Sequence, residues 1–400
     1  MATSVKRRQA WLLDPPTHRE LAAVMAVGTF ALVIAGIQPL LFGALVNEGR
    51  ISAAGLGGAV TVEFLALASG VALASARLQP VHLRLRGLLA AMALIAANVM
   101  SMRHAAPMLY VDRGIAGFSA GVLLSIPSLL LARSRNPSKL GAVLMVLQGL
   151  VQVAFSALLP LTLMPAWGAN GGFLALAGTS ALSAVFALGV PNRLPAVVND
   201  QSEGAPAKKL PPAGALSLLG VVLVYAFVFG FFSYLGQIGT EAHLGSDLIG
   251  LVLAVTVAAS IVGSLLTAAI APKVSFFRVY GVSVACNAAL IVILFQLPGP
   301  IGFALCAVCF GVFWGLLMPY QLNFTAEVDP TRRATLLVPG AQALGASLGP
   351  LLCALSVTAT DSRGALIVAG ACLVGFFGIV MGLHARQRRL LSHPELFAST

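Results

Sequence analysis

Glu63, Asp112 and Arg113 are the ionisable side chains that stand inside long apolar runs of this chain. An ion placed in hydrocarbon costs about 2.5–3.5 kcal/mol on the insertion scale, so each needs a partner or a task. Glu63 falls about eight residues into its run, roughly 12 Å along a helix, and Arg113 about five into another, roughly 8 Å. The two runs start from the same side, so the pair lies at comparable depth. The spacing predicts that Glu63 pairs with Arg113, or competes with Asp112 for it. A carboxylate that loses its charge on protonation would gate such a pair, which makes Glu63 and Asp112 the candidate proton-coupling residues. Asp112 points about 100° away from Arg113 around a helix, and the alternative is that it faces the rim. The structural alternative for Glu63 and Arg113 is a salt bridge that locks the extracytoplasmic side of the first half.

Uncharged polar side chains within apolar runs form the second tier. Gln38, Gln148, Gln152, Tyr225, Tyr234, Gln237, Trp314 and Gln342, with Arg113, are the candidate substrate-binding residues. Gln148 and Gln152 are one helical turn apart and share a face. Gln38 precedes Pro39, and a proline there predicts a local break that frees backbone carbonyls toward a cavity. The competing role for each glutamine is hydrogen bonding between helices.

Enzymatic and metal chemistry find little support. No Gly-rich phosphate loop precedes Lys-Ser or Lys-Thr. The six histidines lie at loops or ends, and none forms a His-x-x-x-His or Glu-x-x-His pair, so no metal site is expected. Cys306 and Cys309 have a CxxC spacing inside an apolar run with no second pair nearby, and read as small packing residues. The chain is read as a non-enzyme without cofactor.

The elements that position these residues follow from composition. With 58% hydrophobic and 9% charged residues, the chain lacks the polar surface of a soluble domain, where charged residues are about 25%. Lipid must be its solvent. Apolar runs of about 20 residues suit helices spanning a hydrocarbon core about 30 Å thick. They fall at 21–46, 54–76, 86–102, 107–132, 139–164, 171–190, 214–238, 247–271, 279–297, 301–322, 334–357 and 364–384. The fold class expected is all-α, a polytopic membrane protein of 12 transmembrane helices. The third run is short and the fifth and sixth nearly abut, so eleven is the alternative count.

A formal charge of +11 invites a nucleic-acid partner, but the positions argue for topology instead. With 12 spans, only Arg50, Arg103 and Arg363 of the 24 Lys and Arg fall on one side and Arg113 within a span; the other 20 share the opposite side. That asymmetry is the positive-inside signature and predicts both termini in the cytoplasm. It also favours an even count. The first run, longer than a signal-peptide core and lacking a cleavage site, reads as a retained span. Residues 192–213 are Pro-rich and charged, and read as a cytoplasmic linker between a bundle at 1–191 and a second at 214–400.

The two blocks repeat. Ile51–Gly57 precedes Leu244–Gly250 by 193 residues, and the same shift relates Gly70 to Gly263 and Asn136-Pro137-Ser138-Lys139 to Asp329-Pro330-Thr331-Arg332. After a three-residue slip, Gln152…Pro160 matches Gln342…Pro350. At the same shift Glu63 meets Thr256, so the repeat itself does not require an acid there.

Two six-helix halves, a cytoplasmic linker and cytoplasmic ends resemble the major facilitator superfamily over residues 20 to 385. Arg113-xxx-Gly117-xxx-Gly121 is similar to that family's fourth-span motif, and Asp329-Pro-Thr-Arg-Arg333 with Gly345-xxx-Gly349-Pro350 to its tenth-to-eleventh segment. The loop Arg77–Arg86 keeps positive charge without the family's Asp and glycines, and the fifth span lacks the Gly-Pro motif of proton-driven drug antiporters. The resemblance implies a central cavity lined by the first, fourth, seventh and tenth helices, and alternating access. The expected function is a secondary transporter or facilitator for a small organic solute such as a carboxylate or other anion, coupled to protons or driven by the solute's gradient. The alternatives are an efflux carrier for apolar compounds and a non-transporting receptor or assembly factor. The partners expected are the solute, protons and the lipid of a bacterial inner membrane, with the chain monomeric.

Overall fold

The structure, a computed structural model, describes residues 15–76, 81–131, 137–194, 210–270, 274–329 and 333–392. Most of the linker read at 192–213, the cations at 6–8, 77, 133, 135, 208, 209, 273 and 332, and Asn136 and Pro330 of the repeat, lie outside the described residues. Twelve helices among the described residues are long and apolar enough to cross a membrane. No strand accompanies them there, only an isolated bridge between Val81 and Arg193. Leu65, Leu89, Leu265, Leu305 and Val374 are among the many large apolar side chains left exposed, as lipid contact requires. The chain is an all-α integral membrane protein.

Residues Met1–Ala205 and Pro206–Thr400 form two compact units. In the first, α1 (His18–Phe30) and α2 (Ile34–Asn47) make up the first span, followed by α3 (Ala53–Ala76), α4 (Leu83–Ser101), α5 (Met108–Leu131) and α6 (Pro137–Leu158). A 3-10 turn at Leu159–Leu161 and the short α7 (Leu163–Trp167) lead into α8 (Ala169–Ala187). The second holds α9 (Pro212–Glu241), α10 (Ser246–Ile270), α11 (Phe276–Phe295), α12 (Pro300–Val328), α13 (Arg333–Ala354) and α14 (Gly364–Ser392). The tenth span, expected to stop at 322, continues to Val328. Its helical hydrogen bonding outlasts its apolar stretch and ends at Asp329, whose φ and ψ are extended as the residue before a proline requires.

The first span is broken, though not at Gln38-Pro39. Its discontinuity lies at Ala31–Val33, and Pro39 sits inside α2. Proline strains the turns before it, since it lacks an N–H and crowds the carbonyl four residues back. Backbone carbonyls around the break are then met by side chains of α6. Gln148 Nε2 donates to Gly28 O at 2.9 Å, Gln152 Nε2 to Leu32 O at 2.9 Å, and Ser156 Oγ to Gly36 O at 3.1 Å. Donor and acceptor both advance by four residues, so one face of α6 runs as a ladder along one face of the first span.

The units share one packing scheme. In the first, α3 packs along α5 and α4 along α8; in the second, α10 packs along α12, and α11 contacts α12 and α14. The closest approaches coincide. A Cβ on Gly117 would strike the Glu63 carbonyl, one on Gly121 the Leu67 carbonyl, and one on Gly70 the Phe118 carbonyl. In the second unit Gly311 meets the Thr256 carbonyl, Gly315 the Ser260 carbonyl and Gly263 the Val312 carbonyl. These are the same three contacts, displaced by 193 residues on one helix and 194 on the other. Glycine here lets backbones touch where lipid supplies no hydrophobic drive for association.

A second repeated device closes each unit. Glu48 Oε1 accepts from Ala169 N at 2.6 Å, and Glu241 Oε1 from Ser362 N at 2.8 Å. Each acid, at the end of its unit's first span, satisfies an N–H at the start of the last, where an α-helix has orphan donors and favours negative charge. We expect Gly117→Ala or Gly121→Ala to destabilise the purified protein by about 1–3 kcal/mol through overpacking. Gly178→Ala, with nothing within 4 Å, should stay within about 1 kcal/mol of the parent. Heat-induced unfolding in detergent separates them.

Candidate functional site

Close packing of α3 on α5 sets Glu63 and Arg113 side by side. Arg113 lies one turn before Gly117, and Gly117 rests against the backbone of Glu63. Arg113 Nη1 donates to Glu63 Oε1 at 3.3 Å, and Nη2 donates to Asn98 Oδ1 of α4 at 2.8 Å. The guanidinium carbon stands 5.2 Å from the ring centroid of Phe173 on α8, a cation–π distance. Asn98 Nδ2 in turn donates to Ser180 Oγ at 3.4 Å. Glu63 and Arg113 are 2% and 0% exposed, so the pair is shielded from both water and lipid.

The pair is not saturated. Glu63 Oε2 and Arg113 Nε, both buried, have no hydrogen-bond partner among the described residues. Glu63, Asn98 and Ser180 also line a cavity of about 10 Å³, bordered by Phe30, Ala31 and Ile34 at the break in the first span. That is about the space one water occupies. Glu63 therefore brings a carboxyl with one unpartnered oxygen to the edge of a water-sized cavity that is lined by apolar side chains together with Asn98, Thr179 and Ser180.

Asp112 belongs to a different contact. Its Oδ2 lies 2.7 Å from His104 Nδ1, with Asp112 1% exposed. Nearby, Arg50 donates to the carbonyls of Ser101 and His104 and to Asn170 Oδ1, and lies 3.7 Å from Glu48. Burial pulls the Arg50 pKa below the usual arginine value, opposed by Glu48. Its guanidinium carbon is 5.7 Å from the same Phe173 ring. These contacts tie the α2–α3 loop to the ends of α4 and α8.

The remaining candidates divide. Gln148 and Gln152 place their amide N–H groups on first-span carbonyls, the interhelical role set against solute binding at the outset. Gln38 and Tyr234 are fully enclosed at 0% exposure. Gln342 is half-buried on α13, its Nε2 at 3.5 Å from Gln321 Oε1 of α12. The repeat-related Gln152 and Gln342 therefore contact different kinds of partner. Tyr225 and Trp314 are half-buried and joined through Phe229. Tyr225 stacks on Phe229 at 5.9 Å, and Phe229 meets Trp314 edge to face at 6.0 Å. Gln237, two turns beyond Phe229, is half-buried with its Oε1 lacking a partner among the described residues.

Asn98, Phe173 and Ser180 were missed by the sequence reading. Asn98 had a signal, an amide in the middle of an apolar run. Phe173 and Ser180 had none, since both types are common in such helices. Among the described residues no group of three His, Cys, Asp or Glu could hold a metal ion.

The repeat shows what the charges are not for. At matching positions of the second unit Glu63 becomes Thr256 and Arg113 becomes Ala307, each buried at 0%. The Thr256 hydroxyl donates to its own helix at Val252 O, 2.7 Å away. The backbone contact beside it, Gly311 against Thr256, survives unchanged. The helix pair therefore packs without the ions. Removing one partner of a buried pair strands the other charge, whereas removing both is often neutral. Glu63→Thr alone should cost about 3–5 kcal/mol, while Glu63→Thr with Arg113→Ala should stay within about 1 kcal/mol of the parent or exceed it. Thermal unfolding of the two variants in one lipid mixture decides this.

No family model matches the sequence, and no curated protein matches it. Solved structures do resemble it in fold. A bacterial homologue of the human lysosomal transporter Spinster, inward-facing and unoccupied, superposes with a TM-score of 0.68 at 13% identity, covering 94% of this chain and 98% of that one. The nucleoside transporter NupG gives 0.68 at 13%, over 92% and 99%. The POT family transporter PepTSo gives 0.70 at 12%, over 93% and 99%. The paired glycine contacts, the repeated end caps and these superpositions converge: the chain has the major facilitator transporter fold.

Proposed function

We propose that the protein is a secondary carrier that moves a small organic solute across a bilayer by alternating access, with Glu63 as its proton-sensitive residue. One observation supports this above the rest. The first unit keeps a buried ion pair at a helix contact that the second unit builds from Thr256 and Ala307. A costly charge pair that the repeated helix contact does without is best explained by a task. Protonation of Glu63 would release Arg113 from its carboxylate partner, leaving Asn98 and Phe173 to hold it. That changes the charge within the first unit beside the break in its first span. A D-xylose-proton symporter is among the solved structures of this fold, with a TM-score of 0.65 at 15% identity, over 89% of this chain and 94% of that one. A proton-coupled solute is thus compatible with the architecture.

Several readings from the sequence complete the proposal: bundles at 1–191 and 214–400, a cytoplasmic linker at 192–213, both termini cytoplasmic, a monomer, and a bacterial inner membrane. The anionic solute suggested by Arg113 receives no support from the site, because that guanidinium is fully enclosed and held by Glu63, Asn98 and Phe173.

The test begins with a thermal-shift screen of metabolites and drugs on the purified protein, since a bound solute stabilises the folded form by mass action. A stabilising compound is then offered to reconstituted vesicles. Saturable uptake that steepens with an imposed pH gradient is expected, and Glu63→Gln should flatten that dependence about tenfold while the compound still binds. Binding without flux would make the protein a receptor. Flux with the same pH dependence in Glu63→Gln would remove the proton role.

A further inference from the structure

The second unit offers a surface of a different chemistry from the first. Its charged residues on described helices, Glu241, Asp247, Arg278, Glu327, Arg333, Arg386, Arg388 and Arg389, lie at the ends of the helices. Asp329, buried after the end of α12, accepts from Ala334 N of α13 at 2.8 Å, and no charged residue among this unit's described ones stands midway along a span. In place of ions α9 and α12 present an aromatic strip. Tyr225, Phe229 and Trp314 are half-buried and form its open face. Behind them Phe231 and Phe310 stack at 4.2 Å, and Phe232 lies 5.3 Å from Trp314. Phe231, Phe232 and Phe310 are at most 1% exposed, so the strip rests on a packed wall that fixes its rotamers.

Amides flank the strip. Gly345 of α13 packs on Tyr225 Cβ at 2.6 Å from its own ideal Cβ position, which brings Gln342, one turn earlier, beside the Tyr225 end. Gln237 lies about 12 Å beyond Phe229 along α9, with its buried Oε1 lacking a partner among the described residues. Flat rings offset-stack or meet edge to face with aromatic side chains, and neutral amides supply hydrogen bonds without compensating charge. A carboxylate would find no cation here to repay its desolvation.

From this we infer that Tyr225, Phe229 and Trp314, with Gln342 and Gln237, form a binding site for a flat, uncharged, conjugated ring compound with polar edge atoms. Calling that compound the transported solute rests on the carrier reading; the site itself rests on the geometry of the second unit.

Coumarin, an uncharged flat ring with a carbonyl edge, absorbs in the region of tryptophan emission, and coumarin-3-carboxylate is the same ring bearing an anion. In a chain carrying Trp11→Phe and Trp167→Phe, Trp314 is the one tryptophan left of three. In lipid nanodiscs coumarin should quench its emission saturably, with the carboxylate at least tenfold weaker. Phe229→Ala and Gln342→Leu should each weaken coumarin about fivefold while each variant still unfolds in one cooperative transition well above the assay temperature. Equal affinity for the carboxylate, quenching that rises linearly without saturating as for partition into lipid, or unchanged affinity in both variants would overturn the inference. A saturable coumarin site in a protein that carries nothing from the solute screen would retire the carrier reading and keep this one. Uptake of carboxylates without coumarin binding would do the reverse.

Discussion

Backbone contact between α3 and α5 is the constraint on which the first unit depends. Gly117 and Gly121 of α5 press on the carbonyls of Glu63 and Leu67, and Gly70 of α3 presses on Phe118 in return. Any side chain at these points would force the helices apart. At this separation Arg113 reaches Glu63 directly and can still place its second nitrogen on Asn98. The ion pair is thus a consequence of the close approach and not its cause, as the same approach in the second unit shows with Thr256 and Ala307 in the two positions.

Lipid gives backbone and side-chain polar groups no water to fall back on, so a buried one without a protein partner is costly. The two units meet that demand differently. Where α6 meets the first span, Gln148, Gln152 and Ser156 donate to carbonyls around a broken helix. The matching contact between α9 and α13 is made by Gly345 against the Val222 carbonyl and Gly349 against the Ala226 carbonyl, with α9 unbroken across thirty residues. One unit therefore holds an interrupted helix with side-chain hydrogen bonds, and the other a continuous helix with backbone packing. The ionic chemistry accompanies the interrupted helix, and the aromatic strip the continuous one.

Most of the architecture was legible because the bilayer imposes it. Apolar runs of spanning length gave helices within a few residues of the observed bounds, except where helix outlasted hydropathy at Val328 and Ser392 or where α6 gave way to a 3-10 turn and α7. The resemblance between halves was legible from Gly70 and Gly263, and the structure gives them the same task. The proximity of Glu63 and Arg113 followed from depth alone. What could not be read was the choice among partners. Nothing local in Gln152 says that its amide meets Leu32 O, nor in Asp112 that it turns to His104, because those outcomes depend on how α6 and the α4–α5 turn sit against their neighbours. Pro39 was read as marking a break, yet it sits inside α2, and the discontinuity lies six to eight residues earlier, at Ala31–Val33.

The central claim is that Glu63 exchanges a proton within the folded protein. Infrared difference spectroscopy of the purified chain in lipid, titrated with acid, observes this directly through the carbonyl stretch of a protonated carboxylic acid. The account predicts a band that rises reversibly before unfolding, disappears in Glu63→Gln and persists in Asp112→Asn. A titration with no band lost in Glu63→Gln would mean that the carboxylate keeps one charge state throughout, and that the pair serves structure alone.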